Sequence, residues 1–156
     1  MQPLLYSEII HKSEKNAAPL SFSPEEILIF NSRLANLSPH ASDIKYKHLN
    51  ESFKNQKNDT ERLKLVILAL TPDHTFSSHK KAQALLKPMQ EKISDFTPRQ
   101  QGLIILLGRL VAERLEVDAQ LAAEKKRADT LAQHLHELKK IEEIMNLRGK
   151  PSLLKK

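Results

Sequence analysis

Between Thr97 and Gly149 the side chains at Leu103, Leu107, Leu110, Arg114, Val117, Leu121, Glu124, Ala128, Leu131, Leu135, Leu138, Glu142 and Met145 stand alternately four and three residues apart. That spacing is the heptad seam of a coiled coil, and it predicts a single helix roughly 70 Å long at 1.5 Å per residue. Thr97-Pro98-Arg99-Gln100 supplies its start, with a capping hydroxyl, a proline at the first helical position and an amide three residues on. Gly149 and Pro151 supply its end.

The stripe changes along its length. In Leu103, Ile104, Ile105, Leu106, Leu107, Leu110 and Val111 the apolar surface wraps most of the helix, so burial by the preceding chain is expected there. Arg114 and Glu124 then occupy seam positions and weaken it. Beyond Ala128 the stripe is narrow, through Leu131, Leu135, Leu138, Ile141 and Met145. If the bundle ends near Val111, those five residues need a partner helix, from another protein or from a second copy; the alternative is that the helix folds back along its own bundle.

Upstream, four shorter helices are expected. Ser23-Pro24-Glu25-Glu26 is a capping box that opens the first, with Ile27, Phe30, Leu34 and Leu37 on one face and an end near Asn36. Ser38-Pro39 opens the second, in which Ile44, His48 or Leu49, and Phe53 continue a weaker pattern to about Asn55. Residues 55–60 read as a polar linker, with Asn58 or Asp59 placed to cap the third helix. Arg62 to Leu70 is apolar on nearly every side and would suit a buried strand as well as a helix; helix is preferred because no second strand exists to pair with it. Ser77 or Ser78 opens the fourth, through Ala82, Leu85, Leu86 and Met89, kinked or shortened by Pro88. Short turns make these antiparallel neighbours, a tetratricopeptide-like hairpin array in architecture, although no 34-residue self-repeat is present.

The expected organisation is a loose leader over 1–22, a short-helix bundle over 23–96, the long helix over 97–148 and a basic tail over 149–156. Composition supports an all-α protein: aromatic residues are 4%, Trp is absent and Gly occurs three times, leaving few strand and turn formers in 156 residues. With 40% hydrophobic and 28% charged residues, a folded single unit is expected.

The net charge of +6 admits nucleic acid, an anionic surface or an acidic partner, but part of it lies in the tail at Arg148, Lys150, Lys155 and Lys156. Lys125-Lys126-Arg127 is the one basic run within the long helix, interrupted by Asp118, Glu124 and Asp129, so nucleic-acid binding is the weakest of three readings. The chain contains no Cys, which removes thiolate ligands and thiol chemistry. Met1 to Tyr6 shows neither the basic nor the apolar region of a signal peptide, and the apolar run beginning at Leu103 is far too short to span a bilayer.

No catalytic constellation emerges. His134 and His136 lie two apart on a helix and cannot converge on one ion, and neither His74 with His79 nor His40 with His48 has ligand complements. Glu25-Glu26 suits a helix N-terminus and Glu142-Glu143 the charged edge of a coil. Gly149-Lys150-Pro151-Ser152 lacks the upstream glycine and following helix of a phosphate loop. The expectation is therefore a non-enzyme with no catalytic, cofactor-binding or metal residues, no cofactor and no small-molecule substrate.

Three stretches taken together, Arg62-Leu63-Lys64-Leu65-Val66-Ile67-Leu68-Ala69-Leu70 before Thr71-Pro72, Lys81-Ala82-Gln83-Ala84-Leu85-Leu86, and Leu131 to Glu142 closing on Leu-Lys-Lys-Ile-Glu, resemble the QseG-type outer-membrane lipoproteins over about residues 24–148. That resemblance implies a periplasmic, non-catalytic accessory that engages the sensor region of a two-component sensor histidine kinase and alters its signalling, with the distal coil at Leu131, Leu135, Leu138, Ile141 and Met145 as the contact. The family carries a lipidated Cys that this chain lacks. Outer-membrane anchoring is thus expected only if an upstream leader was removed, and a cytoplasmic location otherwise. The competing expectation is a cytoplasmic coiled-coil adaptor that forms a homodimer through the same stripe.

Overall fold

The structure is a computed structural model and describes residues 21–150. It is all-α: helices α1 (Pro24–Leu34), α2 (Pro39–Gln56), α3 (Asp59–Leu70), α4 (His79–Glu91) and α5 (Pro98–Gly149), with a 3-10 turn at Ile93–Asp95. The chain divides into two units between Glu113 and Arg114, inside the continuous α5.

Each helix start carries a predicted cap, although the Glu26 carboxylate expected to complete the box at α1 is held by Lys64 instead. Ser23, Ser38, Asn58 and Ser78 adopt extended backbone, and their side-chain oxygens accept from the amides of Glu26, Ala41, Thr60 and Lys81. At α5 the box is reciprocal: the Gln100 amide donates to Thr97 Oγ1 at 3.4 Å and the Thr97 amide donates to Gln100 Oε1 at 3.0 Å.

The polar linker expected over 55–60 shrinks to Lys57 and Asn58. Lys57 takes a left-handed backbone (φ 46°) and its amide closes α2 on the Phe53 carbonyl at 2.8 Å, so that Asn58 can cap α3 at once. Pro88 does not break α4, which continues three residues further to Glu91.

Helix α3 is the hub. Its Leu63, Leu65, Val66, Ile67, Leu68 and Ala69 are buried, and it is contacted by α1, α2 and α4. A segment buried on nearly every side has no polar face to show, which explains the near-continuous apolar run. Around it stand Ile27 and Phe30 of α1, Ala82, Leu86 and Met89 of α4, and Leu103, Ile104, Leu107 and Val111 of α5. Where α4 meets α5, Gly108 leaves room for Gln90, whose side-chain nitrogen would lie 2.4 Å from an added Cβ.

Three expectations need correction. First, Ile44 and His48 do not face the core: α2 turns Ser42, Tyr46, Leu49 and Phe53 inward, a row with helical spacing, and Ile44 lies 56% exposed about 200° round the axis from Ser42. Second, the leader does not extend to residue 22. Phe22 is 2% exposed, its ring lies 5.7 Å from that of Phe96, and its carbonyl accepts from Gln100 Nε2 at 2.8 Å; the rest of the leader, residues 1–20, and the tail beyond Lys150 lie outside the described residues.

Third, the first third of α5 is not wrapped. Leu103, Ile104, Leu107 and Val111 are buried, whereas Ile105, Leu106 and Leu110 are 45, 61 and 36% exposed. Only part of the circumference of this stretch is buried, so the remaining apolar residues stay at the surface.

Candidate helix-docking surface

No helix among the described residues is long and apolar enough to cross a membrane, and no three His, Asp or Glu side chains there come together as metal ligands.

The five predicted contact residues all lie on α5 and all reach solvent: Leu131 is 55% exposed, Leu135 61%, Leu138 60%, Ile141 53% and Met145 66%. At 100° per residue they occupy one side of the helix, spread over about 120°. Two further exposed residues, Ile144 and Leu147, lie off that side, so the stripe is frayed near its end.

The flanks are polar and locally tied. Arg127 lies 4.0 Å from Glu124, Gln120 donates to Glu116 at 3.5 Å, and the Thr130 hydroxyl donates to the Lys126 carbonyl at 2.9 Å. His134 and His136 are exposed, as are Lys125, Lys126 and Arg127. No Phe, Tyr or Trp lies on α5 beside the basic run.

The unit formed by residues up to Glu113 carries two grooves that the sequence did not announce. One, of about 500 Å³, is lined by Leu28, Ile67, Leu103, Leu106, Leu107 and Leu110 with Arg109 and Glu113 at its rim. It is the direct result of the incomplete wrapping of α5. The other, also about 500 Å³, has the Phe30 ring beneath Lys45 and Lys64, whose ammonium groups lie 5.1 and 5.7 Å from the ring centre. Lys64 is bound to Glu26 at 2.5 Å, so much of the charge in this groove is already neutralised.

Glu25, at the mouth of that groove, has its carboxyl held below the usual range. Backbone amide donation at the start of α1 is the main cause, followed by the Ser23 hydroxyl at 3.1 Å; a cost of burial opposes them, and the charge of Arg99 at 3.6 Å is the smallest contribution. A carboxylate held in this way at a helix N-terminus complements the helix dipole.

Elsewhere, polar ties serve the bundle. The Ser52 hydroxyl donates to Glu61 Oε1 at 2.5 Å, while Arg62 lies over the Phe53 ring at 5.0 Å and donates to the Leu85 carbonyl at 3.3 Å, joining α2, α3 and α4. Phe76, buried in the connection between α3 and α4, stacks between His74 and Tyr46 with both ring centres 4.7 Å away. No pattern marks Phe76 in the sequence, because a lone aromatic in a turn has no periodicity.

Compared with protein-family models, curated proteins and solved structures, the chain matches none of them.

Proposed function

We propose that this protein is a non-catalytic accessory that captures a partner helix along Leu131, Leu135, Leu138, Ile141 and Met145. The observation that carries the reading is the exposure of those five residues, each more than half open to solvent on one side of a continuous helix. Leaving so many large apolar side chains in water forgoes about 1.5–3 kcal/mol apiece that a partner could recover in part. A stripe of this width matches one or two helices rather than a flat surface.

The resemblance of the core helix and the closing Leu-Lys-Lys-Ile-Glu to the QseG-type lipoproteins names the partner within this proposal: the sensor region of a two-component histidine kinase, met in the periplasm. The test compares the full chain with a Leu135→Asp, Leu138→Asp double variant for binding to purified kinase sensor regions from the source cell. Loss of binding by at least tenfold is expected, because two charges would enter the seam of the complex. Unchanged binding by the variant, or the absence of binding by the parent chain, sinks the proposal.

A further inference from the structure

Upstream of that stripe, the seam of α5 runs Arg114, Val117, Leu121, Glu124. All four are exposed, Val117 by 55% and Leu121 by 69%. Taken singly, Arg114 and Glu124 weaken the apolar seam. Their order, however, is self-complementary: positive, apolar, apolar, negative, at spacings of three, four and three. Reversed end for end, the segment presents the same spacings with the charges exchanged.

We infer that two copies of this chain associate through this segment as an antiparallel helix pair centred on Ala119. In that register Arg114 of each copy faces Glu124 of the other, and Val117 faces Leu121 of the other, so both charges are paired and both apolar residues are covered. The interface is isologous, as a two-fold dimer requires: each contact occurs twice. Within residues 114–124 the register also aligns each seam position of one helix with the complementary seam position of the other, which antiparallel packing of knobs into holes demands. Gln120 of the two copies meet beside the two-fold axis, where amides can donate to and accept from each other.

Charge decides the orientation. A parallel pair in register would place Arg114 on Arg114, Glu124 on Glu124 and, further along, Glu142 on Glu142, three like-charge layers in one seam. A charged residue within a seam costs stability and in return selects register. Here the antiparallel register is the one that turns the two charges into pairs. Glu124 has a local competitor, Arg127 at 4.0 Å, but both of those side chains are about three-quarters exposed and the contact is weak. Asp118 of each copy flanks the axis on one side, a like-charge cost that, with the short contact, makes this a reversible dimer with a dissociation constant on the order of 1–100 μM.

The experiment is sedimentation equilibrium of the full chain at low ionic strength, alone, with no candidate partner present. The parent chain is expected to dimerise. Arg114→Glu alone sets acid against acid twice per dimer, and Glu124→Arg alone sets base against base twice; each is expected to weaken dimerisation at least tenfold. The double reversal, R114E with E124R, is expected to restore it.

Orientation is read separately from a spin label on Lys140→Cys, a unique thiol because the chain has no other. Residue 140 lies twenty-one positions from the centre, so antiparallel labels are separated by about 63 Å along the axis, and parallel labels by about 20 Å. A monomer at all concentrations, single reversals without effect, a double reversal that stays monomeric, or a short label distance would each overturn the inference. Since none of these measurements involves a kinase, they stand or fall apart from the partner-capture proposal.

Discussion

Helix α5 is one helix governed by two different constraints, on residues 98–113 and on residues 114–150. The first stretch has Gln100, Leu103, Ile104, Leu107 and Val111 buried. Their spacing of three, one, three and four follows a broad stripe, the mark of a helix lying on a core. In the second stretch every residue except Leu115 is exposed, and the apolar side chains follow the narrower four-and-three alternation of a seam. Helix formation does not discriminate between the two, because Leu, Ala, Glu, Lys and Arg favour helix in both. What differs is the width of the apolar stripe, broad where one side of the helix is buried and narrow where its apolar side chains stay exposed.

The largest expected effect sharpens that contrast with one kind of substitution. Leu68→Ala on the hub removes a side chain with no solvent exposure and should cost about 2–5 kcal/mol in urea unfolding. Leu135→Ala, from a position 61% exposed, should change the stability of the single chain by less than about 0.5 kcal/mol. A comparable loss from both would mean that the distal stripe is packed in the single chain, and the distinction between the two stretches would fail.

Much of this is legible without coordinates. The capping hydroxyls at Ser23, Ser38, Ser78 and Thr97 are readable because each precedes a helix by a fixed offset, and three of them stand beside a proline or have an amide or acid three residues on. The hub is readable because six consecutive-to-near-consecutive apolar residues from Leu63 have no other use. The distal stripe is readable as a narrow apolar run, and its residues are exposed. The errors have a common origin: pattern gives how much of a surface is apolar, and not how much cover the rest of the chain can supply. By pattern alone Ile105, Leu106 and Leu110 belong to the core, and so the groove beside α1 has no signature in the sequence. Ile44 reads as inward because Ser42, the residue that is buried there at 3% exposure, is polar and small. Phe22 and Phe76 owe their burial to rings met in three dimensions, Phe96 for one and Tyr46 with His74 for the other.

A second, smaller contrast uses glutamine. Gln100 is 2% exposed, donates to the Phe22 carbonyl and accepts from the Thr97 amide. Gln100→Ala leaves that buried carbonyl unpaired and should cost about 1–3 kcal/mol. Gln133→Ala, in the exposed stretch, replaces a good helix former with a better one and should lie within about 0.5 kcal/mol of the parent. Urea midpoints measured side by side decide it; an equal loss at the two positions would deny Gln100 its role in fixing residue 22 to the start of α5.

The smallest effect concerns charge at a helix end. Glu25 has its carboxyl held below its ordinary value of 4.5, first by backbone amides at the start of α1, then by Ser23 and by Arg99. Because the folded chain binds this proton less tightly than the unfolded chain, the unfolded state takes up more protons in the window just below the ordinary value, and stability rises with pH across it. The contribution is therefore complete above that value and is lost as pH falls through the lower, folded one. Glu25→Gln should flatten the fall in stability between about pH 5 and pH 3 while leaving the fold intact. Since amide donation outranks the Arg99 charge among the causes, adding salt should remove only a minor part of the difference between parent and variant. A difference abolished by salt would instead make Arg99, 3.6 Å away across from α1, the group that holds Glu25 ionised, and would move the origin of the effect from the helix start to the contact between α1 and α5.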